Sequence, residues 1–329
     1  MNVTEKQIDK LNLELTVEVA AADYAEIERK KLAERRRTAE FKGFRKGMVP
    51  ASLIKRIYGD QALVESVNQV IGQALDQHIN EKKLRILGEP LPSENQPQIE
   101  WEDGNDFTFV FDLGLSPEVS VEVEKTDTVP TYTITVTAKD KAPMIENLKK
   151  YYEEKKEEKT DEEIDKEVTE RLKGQYKNEA EWRQTRDIRD YFIKKADVQL
   201  PEEFLKRWLV QANDGKVTKE DVEKDFPGFA EDFKWQLVRG TLMQKWGFQV
   251  EDKDLQEQAE SFARYQYAMY GIGNVPDEMV KEMAVNMLHD QKQVERLVEQ
   301  VEDRKVLDKI RETITLKPTK ISAAKFREL

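Results

Sequence analysis

The chain contains no cysteine among its 329 residues and only two histidines, His78 and His289. Without cysteine there is neither a disulfide nor a thiolate zinc site. Two histidines far apart in sequence give little from which to build a His-centred catalytic group or a metal cluster, so no cofactor or metal is expected. Apolar residues are scarce, at 38% beside 36% charged residues. That balance disfavours one large globular core and favours solvated helices, each with a modest apolar stripe, in an elongated arrangement. No window approaches the roughly 18 consecutive apolar residues of a membrane span. The opening residues, Met-Asn-Val-Thr-Glu-Lys-Gln-Ile-Asp-Lys, lack the apolar stretch of a secretory signal. A soluble, cytoplasmic protein with no membrane partner is the expectation.

What is present is an uneven distribution of charge. Residues 29–56 hold eleven Lys and Arg against two acids, Glu34 and Glu40. That window is +9 in a chain of −12, which leaves −21 for the remainder. A helix gains most from mixed signs at i,i+4, and this stretch nearly lacks the acidic half. A basic patch on an acidic protein can dock on a polyanion while the rest is repelled from it.

Residues 11–19 alternate apolar and polar, the pattern of a strand with one buried face. Residues 21–38 read as a helix with Tyr24, Ile27 and Leu32 inward. Pro50 suits the start of a short helix through Ile57, Gly59 interrupts it, and a longer helix follows over 61–83. Gly88, Pro90 and Pro92 mark a loop, and Phe107–Leu113 a strong strand. The predicted architecture is an α+β domain over 1–115, an extended linker over 116–142, and a mainly α-helical domain over 143–329. Within that last part, helices are expected over 143–155, 160–173, from Pro201, and over about 228–246, 252–270, 276–289 and 290–313.

The most specific stretch is Phe41-Lys42-Gly43-Phe44-Arg45-Lys46-Gly47-Met48-Val49-Pro50. Two glycines four apart permit positive φ and a tight exposed turn. Between them stand an aromatic for apolar burial and two cations for phosphate or carboxylate contact. The Gly-Lys-Ser/Thr signature of a nucleotide phosphate loop is absent.

Gly43-Phe44-Arg45-Lys46-Gly47-Met48-Val49-Pro50 resembles the Gly-Phe-Arg-x-Gly-x-x-Pro signature of bacterial trigger factor. The alternating strand and basic helix before it match the same family, as do Tyr58-Gly59 and the Phe-Thr-Phe-Val-Phe strand followed by Pro117-Glu118-Val119. The resemblance covers residues 1–125 well and the helical half more weakly, through Val198-Gln199-Leu200-Pro201. It implies an ATP-independent chaperone that docks on the large ribosomal subunit beside the exit tunnel, touching protein and rRNA. Phe44, Arg45 and Lys46 would make the central contacts, with Gly43, Gly47, Arg36, Arg37 and Lys42 around them. Met48 stands where the family often has Lys. The resemblance allows a homodimer, though no heptad seam demands one. The family's FKBP-like prolyl isomerase has no room between the linker and the helical body, so no enzymatic activity is expected.

Nascent or unfolded polypeptides would need a tolerant apolar surface. Met279, Met283 and Met287 recur at i, i+4, i+8, and Phe262, Tyr265, Met269 and Tyr270 cluster one helix earlier. Methionine suits adaptable binding, and the same spacing equally suits plain core packing. The alternatives are a nucleic-acid-binding protein using residues 29–56 and a holdase independent of the ribosome.

Overall fold

A computed structural model describes residues 1–213 and 215–329. In chain order its first elements are β1 (Asn2–Gln7), β2 (Asn12–Val19), α1 (Ala21–Thr38), α2 (Ala51–Lys82), β3 (Ile86–Pro92), β4 (Phe107–Leu115) and β5 (Thr128–Thr135). The helices α3 (Ala138–Lys155), α4 (Asp161–Ala196), α5 (Glu202–Ala212), α6 (Lys219–Trp246), α7 (Asp252–Met269), α8 (Asp277–Leu288) and α9 (Gln291–Thr313) follow. The last elements are β6 (Thr315–Ser322) and the short α10 (Ala323–Phe326). The residues group into two compact units: Met1–Glu118 with Gln199–Ala230, and Val119–Val198 with Glu231–Leu329.

The first unit is built on an antiparallel sheet ordered β1-β2-β4-β3. The alternation of β2 buries Leu13, Leu15, Val17 and Val19, and these stand opposite Leu113, Phe111, Phe109 and Phe107 of β4. Leu63, Val67, Val70, Ile71 and Leu75 of α2 cover that face together with Tyr24 of α1. The Tyr24 hydroxyl donates to Asn105 O and accepts from the Gly104 N–H, each at 2.9 Å, tying α1 to the turn before β4. His78 is structural: its Nε2 lies 2.6 Å from Glu5 Oε1, joining α2 to β1.

Two local expectations need correction in this unit, and one further strand is unannounced by the sequence. First, α2 runs unbroken through Gly59. One interior glycine costs a helix about 1 kcal/mol, less than is gained by burying Ile54 before it and Leu63 and Val67 after it. Second, the loop expected at Gly88, Pro90 and Pro92 is the edge strand β3, with a register shift between Leu87 and Leu91. Prolines are tolerated at an edge and at a bulge because no ladder hydrogen bond needs their missing N–H. The further strand, β1, unsignalled by hydrophobic alternation, pairs with β2 from Asn2 to Gln7.

The first unit also takes in α5, from a stretch expected to lie in the helical domain. Glycine explains how it fits. The Phe204 ring lies against Gly114, and Trp208 lies against Gly88, where an added Cβ would sit 2.6 Å from the indole Nε1. Arg207 fixes the helix further, donating to Asp112 Oδ2 at 2.7 Å and to Pro92 O at 2.9 Å. Asp112 and Gly114 alternate with the core-facing Leu113, so α5 packs on the other side of the sheet.

The second unit is organised on α4. Its buried residues are Ile164, Val168, Leu172, Tyr176, Ala180, Gln184, Ile188 and Phe192, one every four positions. At about 100° per residue, each step of four advances the stripe by roughly 40°. The stripe therefore winds most of the way around the helix and meets different neighbours along its length. Ile164 to Ala180 share a core with Ile134 of β5 and Ala323 of α10. Helix α3 begins at Ala138, earlier than expected, because Thr137 and Asp140 form a capping box and Pro143 lies within its early turns. Helix α6 likewise begins at Lys219 and continues through Pro227.

The expectation of nearly continuous helix after Pro143 is corrected at β6. This strand pairs in parallel with β5, from Thr128↔Thr315 to Thr135↔Ser322. A parallel partner so distant in sequence leaves no local signal. Buried Asp127 fastens the start of the pair: it accepts from Tyr191 Oη at 2.8 Å, from Lys195 Nζ at 2.7 and 2.9 Å, and from the Glu124 N–H at 2.8 Å. Burial opposes its charge, yet these donors hold its carboxyl below the usual carboxylate range. No helix among the described residues is long and apolar enough to cross a membrane, and none of their acidic and histidine side chains group as a metal site.

Candidate functional site

The loop between α1 and α2 is two turns in succession. Phe44 N–H bonds to Phe41 O at 3.0 Å, and Met48 N–H bonds to Arg45 O at 2.9 Å. Gly43 and Gly47 occupy the same place in each turn, with φ of 95° and 81°. A turn with positive φ at its third residue strongly prefers glycine there. The spacing of four is thus the length of one turn, and Lys42 and Lys46 hold equivalent corner positions. Nothing lies within 4 Å of a Cβ built on either glycine, so backbone conformation alone demands them.

The base of the loop is held and its tip is free. Val49 is fully buried. Arg36 donates from Nε to Val49 O at 2.7 Å. The Phe41 ring meets Tyr58 of α2 edge-on at 6.4 Å, and Arg35 lies 5.9 Å from the same tyrosine ring. Phe44 is 43% exposed and Met48 67% exposed, which are large exposures for apolar side chains. Lys42 and Arg45 are exposed and have no ion-pair partner among the described residues, while Lys46 pairs loosely with Glu40 at 3.5 Å. Arg37 reaches Glu34 only at 4.0 Å. The structure therefore brings Gly43 to Gly47 and Lys42 together at one tip, with Arg36 at its root and Arg37 on the adjoining turn of α1.

Beside the root, α1 and the start of α2 enclose a groove of about 450 Å³ lined in part by Leu32, Ala33, Arg36, Ala51 and Ile54. Glu28 lies in its wall, 5% exposed. Burial first, and then the neighbouring Asp103, push its carboxyl above the usual range, against the pull of Lys55. Sequence periodicity does not distinguish this acid from the solvated ones around it.

The residues expected to face clients separate into two groups. Tyr265, Met269, Tyr270 and Met279 are exposed, with Tyr270 at 81%. Met287 is buried, and Phe262 and Met283 are half-buried against the same small core of Ala259, Ala284 and Leu297. The buried stripe of α8 is Val280, Ala284 and Met287, and each step of four turns by roughly 40°, so Met279, Met283 and Met287 pass from surface to interior and Met287 does not belong to the surface. Ile272, 48% exposed, joins the exposed group. It follows a helix stop in which Gly271 N–H bonds to Ala268 O and Ile272 N–H to Tyr267 O, with Gly271 at φ 78°. This closed turn presents Met269, Tyr270 and Ile272 together. His289 is the exposed C-cap of α8.

Two domain models match this chain. One, described as "Bacterial trigger factor protein (TF)", covers residues 1–148, and the other, "Probable trigger factor, C-terminal domain", covers residues 180–329. The chain belongs to the trigger factor family. A trigger factor of Azospirillum brasilense is 33% identical over 148 residues, 43% of this chain and 32% of that protein. One of Francisella tularensis subsp. novicida is 31% identical over 153 residues, 46% of this chain and 34% of that protein. The matched stretch thus spans about a third of these curated relatives. A solved structure described as "Promiscuous Substrate Recognition in Folding and Assembly Activities of the Trigger Factor Chaperone" superposes with a TM-score of 0.56 at 16% identity, over 95% of this chain and 99% of the other. At that identity the likeness is one of fold. Between the two family matches, residues 149–179 form the end of α3, a turn and the first half of α4.

Proposed function

We propose that this protein is a ribosome-docking, ATP-independent chaperone. In this reading the first unit, Met1–Glu118 with Gln199–Ala230, carries the docking surface, and the second unit, Val119–Val198 with Glu231–Leu329, holds clients. The twin-turn loop carries the assignment. Its rigid root, glycine-defined corners and exposed Phe44–Arg45 pair make a preorganised anchor that loses little entropy on binding. Burying the exposed part of Phe44 contributes roughly 1 kcal/mol, and charge-assisted hydrogen bonds from Arg45 add about 1.5–3 kcal/mol. Lys42, Lys46, Arg36 and Arg37 supply a positive surround suited to an rRNA-lined surface beside the exit tunnel of the large subunit. Unfolded or nascent chains are held passively on exposed apolar groups, including Tyr265, Met269, Tyr270, Ile272 and Met279, by burial of apolar surface. The site of action is the cytoplasm, and a homodimer is compatible with this reading. In this reading prolyl isomerisation is not part of the activity, which the direct succession of β5, α3 and α4 supports. A proline-limited refolding reaction should proceed at its uncatalysed rate in the presence of this protein.

Co-sedimentation with vacant bacterial ribosomes at near-physiological salt tests the docking. Saturable binding by the wild type and its loss in Phe44→Ala/Arg45→Ala/Lys46→Ala, with helicity unchanged, is the expected result. Binding indifferent to those three residues would remove the ribosome from the assignment. Equal binding to naked RNA would favour a general nucleic-acid binder.

A further inference from the structure

The buried ladder of α4 contains one carboxamide. Gln184 stands between Ala180 and Ile188 and is 9% exposed. Among the described residues no hydrogen bond reaches its side chain, and it is not among the buried side chains whose unpartnered polar atoms are sealed from solvent. Buried amides normally have partners. This one lines a groove of about 330 Å³ through which its polar atoms remain accessible.

The opposite wall of that groove is Thr131–Ile134 of β5. Consecutive residues, whose side chains point alternately to the two faces, can line one groove only along a strand edge. β5 pairs with β6 alone. Among the described residues no other hydrogen bond engages the main chain of 131–134. The edge is therefore a row of open donors and acceptors. Four strand residues span about 13 Å, and α4 from Lys173 to Gln184 spans about 16 Å. Ala180 leaves the floor low, while Lys173, Lys177 and Glu181 stand at the groove.

We propose that this groove binds an extended polypeptide segment, which adds to the free edge of β5 as a third strand while Gln184 hydrogen-bonds its main chain. A carboxamide offers both a donor and an acceptor, the complement of a peptide group. Main-chain groups at strand spacing are the ligand chemistry this edge can read. Recognition through the main chain is indifferent to most side chains, and the groove has length for four or five residues. The inference rests on the chaperone reading and adds to it a second mode of capture beside apolar contact.

The probe is a fluorescent decapeptide of alternating threonine and valine flanked by lysines, used with the full chain. Anisotropy should show saturable binding. N-methylation of alternate amides along one edge of the peptide should weaken it tenfold or more, while methylation along the other edge leaves it intact. Gln184→Leu should weaken binding roughly fivefold to tenfold without lowering the melting temperature. Hydrogen exchange on the wild type gives an independent readout: the open amides within 131–134 should become protected when peptide is added. Peptide binding without that protection overturns this site and leaves client holding intact. No peptide binding overturns it as well, and a simultaneous failure to suppress aggregation of an unfolded protein would overturn the chaperone reading too. Protection that rises with protein concentration alone would assign the edge to a second copy of the chain and refute the proposal.

Discussion

Replacing Gly43 and Gly47 isolates the conformation of the twin-turn loop from its chemistry. Both residues have positive φ, 95° and 81°, and both have open space where a side chain would go. An L-alanine at either position meets no steric obstacle beyond its own backbone, which costs about 1–2 kcal/mol in the left-handed region. The loop can escape that cost by abandoning the turn, since its tip supports no core. Overall stability should therefore change little, while the binding-competent loop becomes a minor conformer. If ribosome docking needs both turns, each Gly→Ala should weaken it by roughly 5- to 30-fold, and the double change by roughly 30- to 700-fold. D-alanine favours positive φ and should bind at least as well as glycine, because it removes freedom from the unbound loop. Semisynthetic proteins carrying L- or D-alanine at 43 and 47 can be titrated against ribosomes, with thermal unfolding as control. Wild-type affinity in the L-alanine double variant, or equal weakening by both enantiomers, would refute the requirement for a preformed double turn.

Gly88→Ala and Gly114→Ala should each destabilise the first unit by about 1–3 kcal/mol through overpacking against Trp208 and Phe204, visible as a lowered denaturation midpoint and altered Trp fluorescence. The Asp127 carboxyl lies below its ordinary range, so its contribution is full above about pH 4 and is lost as pH falls further. Asp127→Asn should be less stable at pH 7 by about 1–3 kcal/mol and show a shallower acid dependence in denaturant titrations. Tyr265→Ser/Met269→Ser/Tyr270→Ser should reduce suppression of client aggregation with a stability change within about 1.5 kcal/mol. Met287→Ser should instead lower stability by roughly 2–4 kcal/mol and affect holding only through unfolding.

Features encoded over a few neighbouring residues were legible in the sequence. The alternation of β2 and the span of α1 agree with expectation because each buries a face set by its own periodicity. The twin turns of the 41–48 loop were legible because a positive-φ turn selects glycine locally, and the two turns repeat that requirement. Features decided by a distant partner were hidden. Gly88 reads as a loop residue and Gly114 lies just past the expected strand, and neither signals the side chains of α5 that lie on them. β6, with Pro318 flanked by Lys317, Thr319 and Lys320, carries no apolar alternation strong enough to announce a strand. Met279, Met283 and Met287 stand four apart, but only the neighbours that bury Val280, Ala284 and Met287 decide that the first is outside and the last inside. Gln184 was overlooked for the converse reason: a polar residue on a charged helix attracts no attention until the ladder around it proves to be buried.

The parallel pairing of β5 with β6 also sets an order of events during synthesis. Thr315 donates through Oγ1 to Lys125 O across 190 residues of sequence. Everything between them must be translated before that bond can form. The first sheet closes early, because β1, β2, β3 and β4 all lie within the first 115 residues. The second unit must wait with β5 bare on both edges and α4 missing part of its cover. Long-range strand pairing is slow and leaves edges open to the wrong neighbour. The threonines and the proline of β5 answer that interval: they keep a long-lived orphan strand polar enough to stay dissolved until its partner is made.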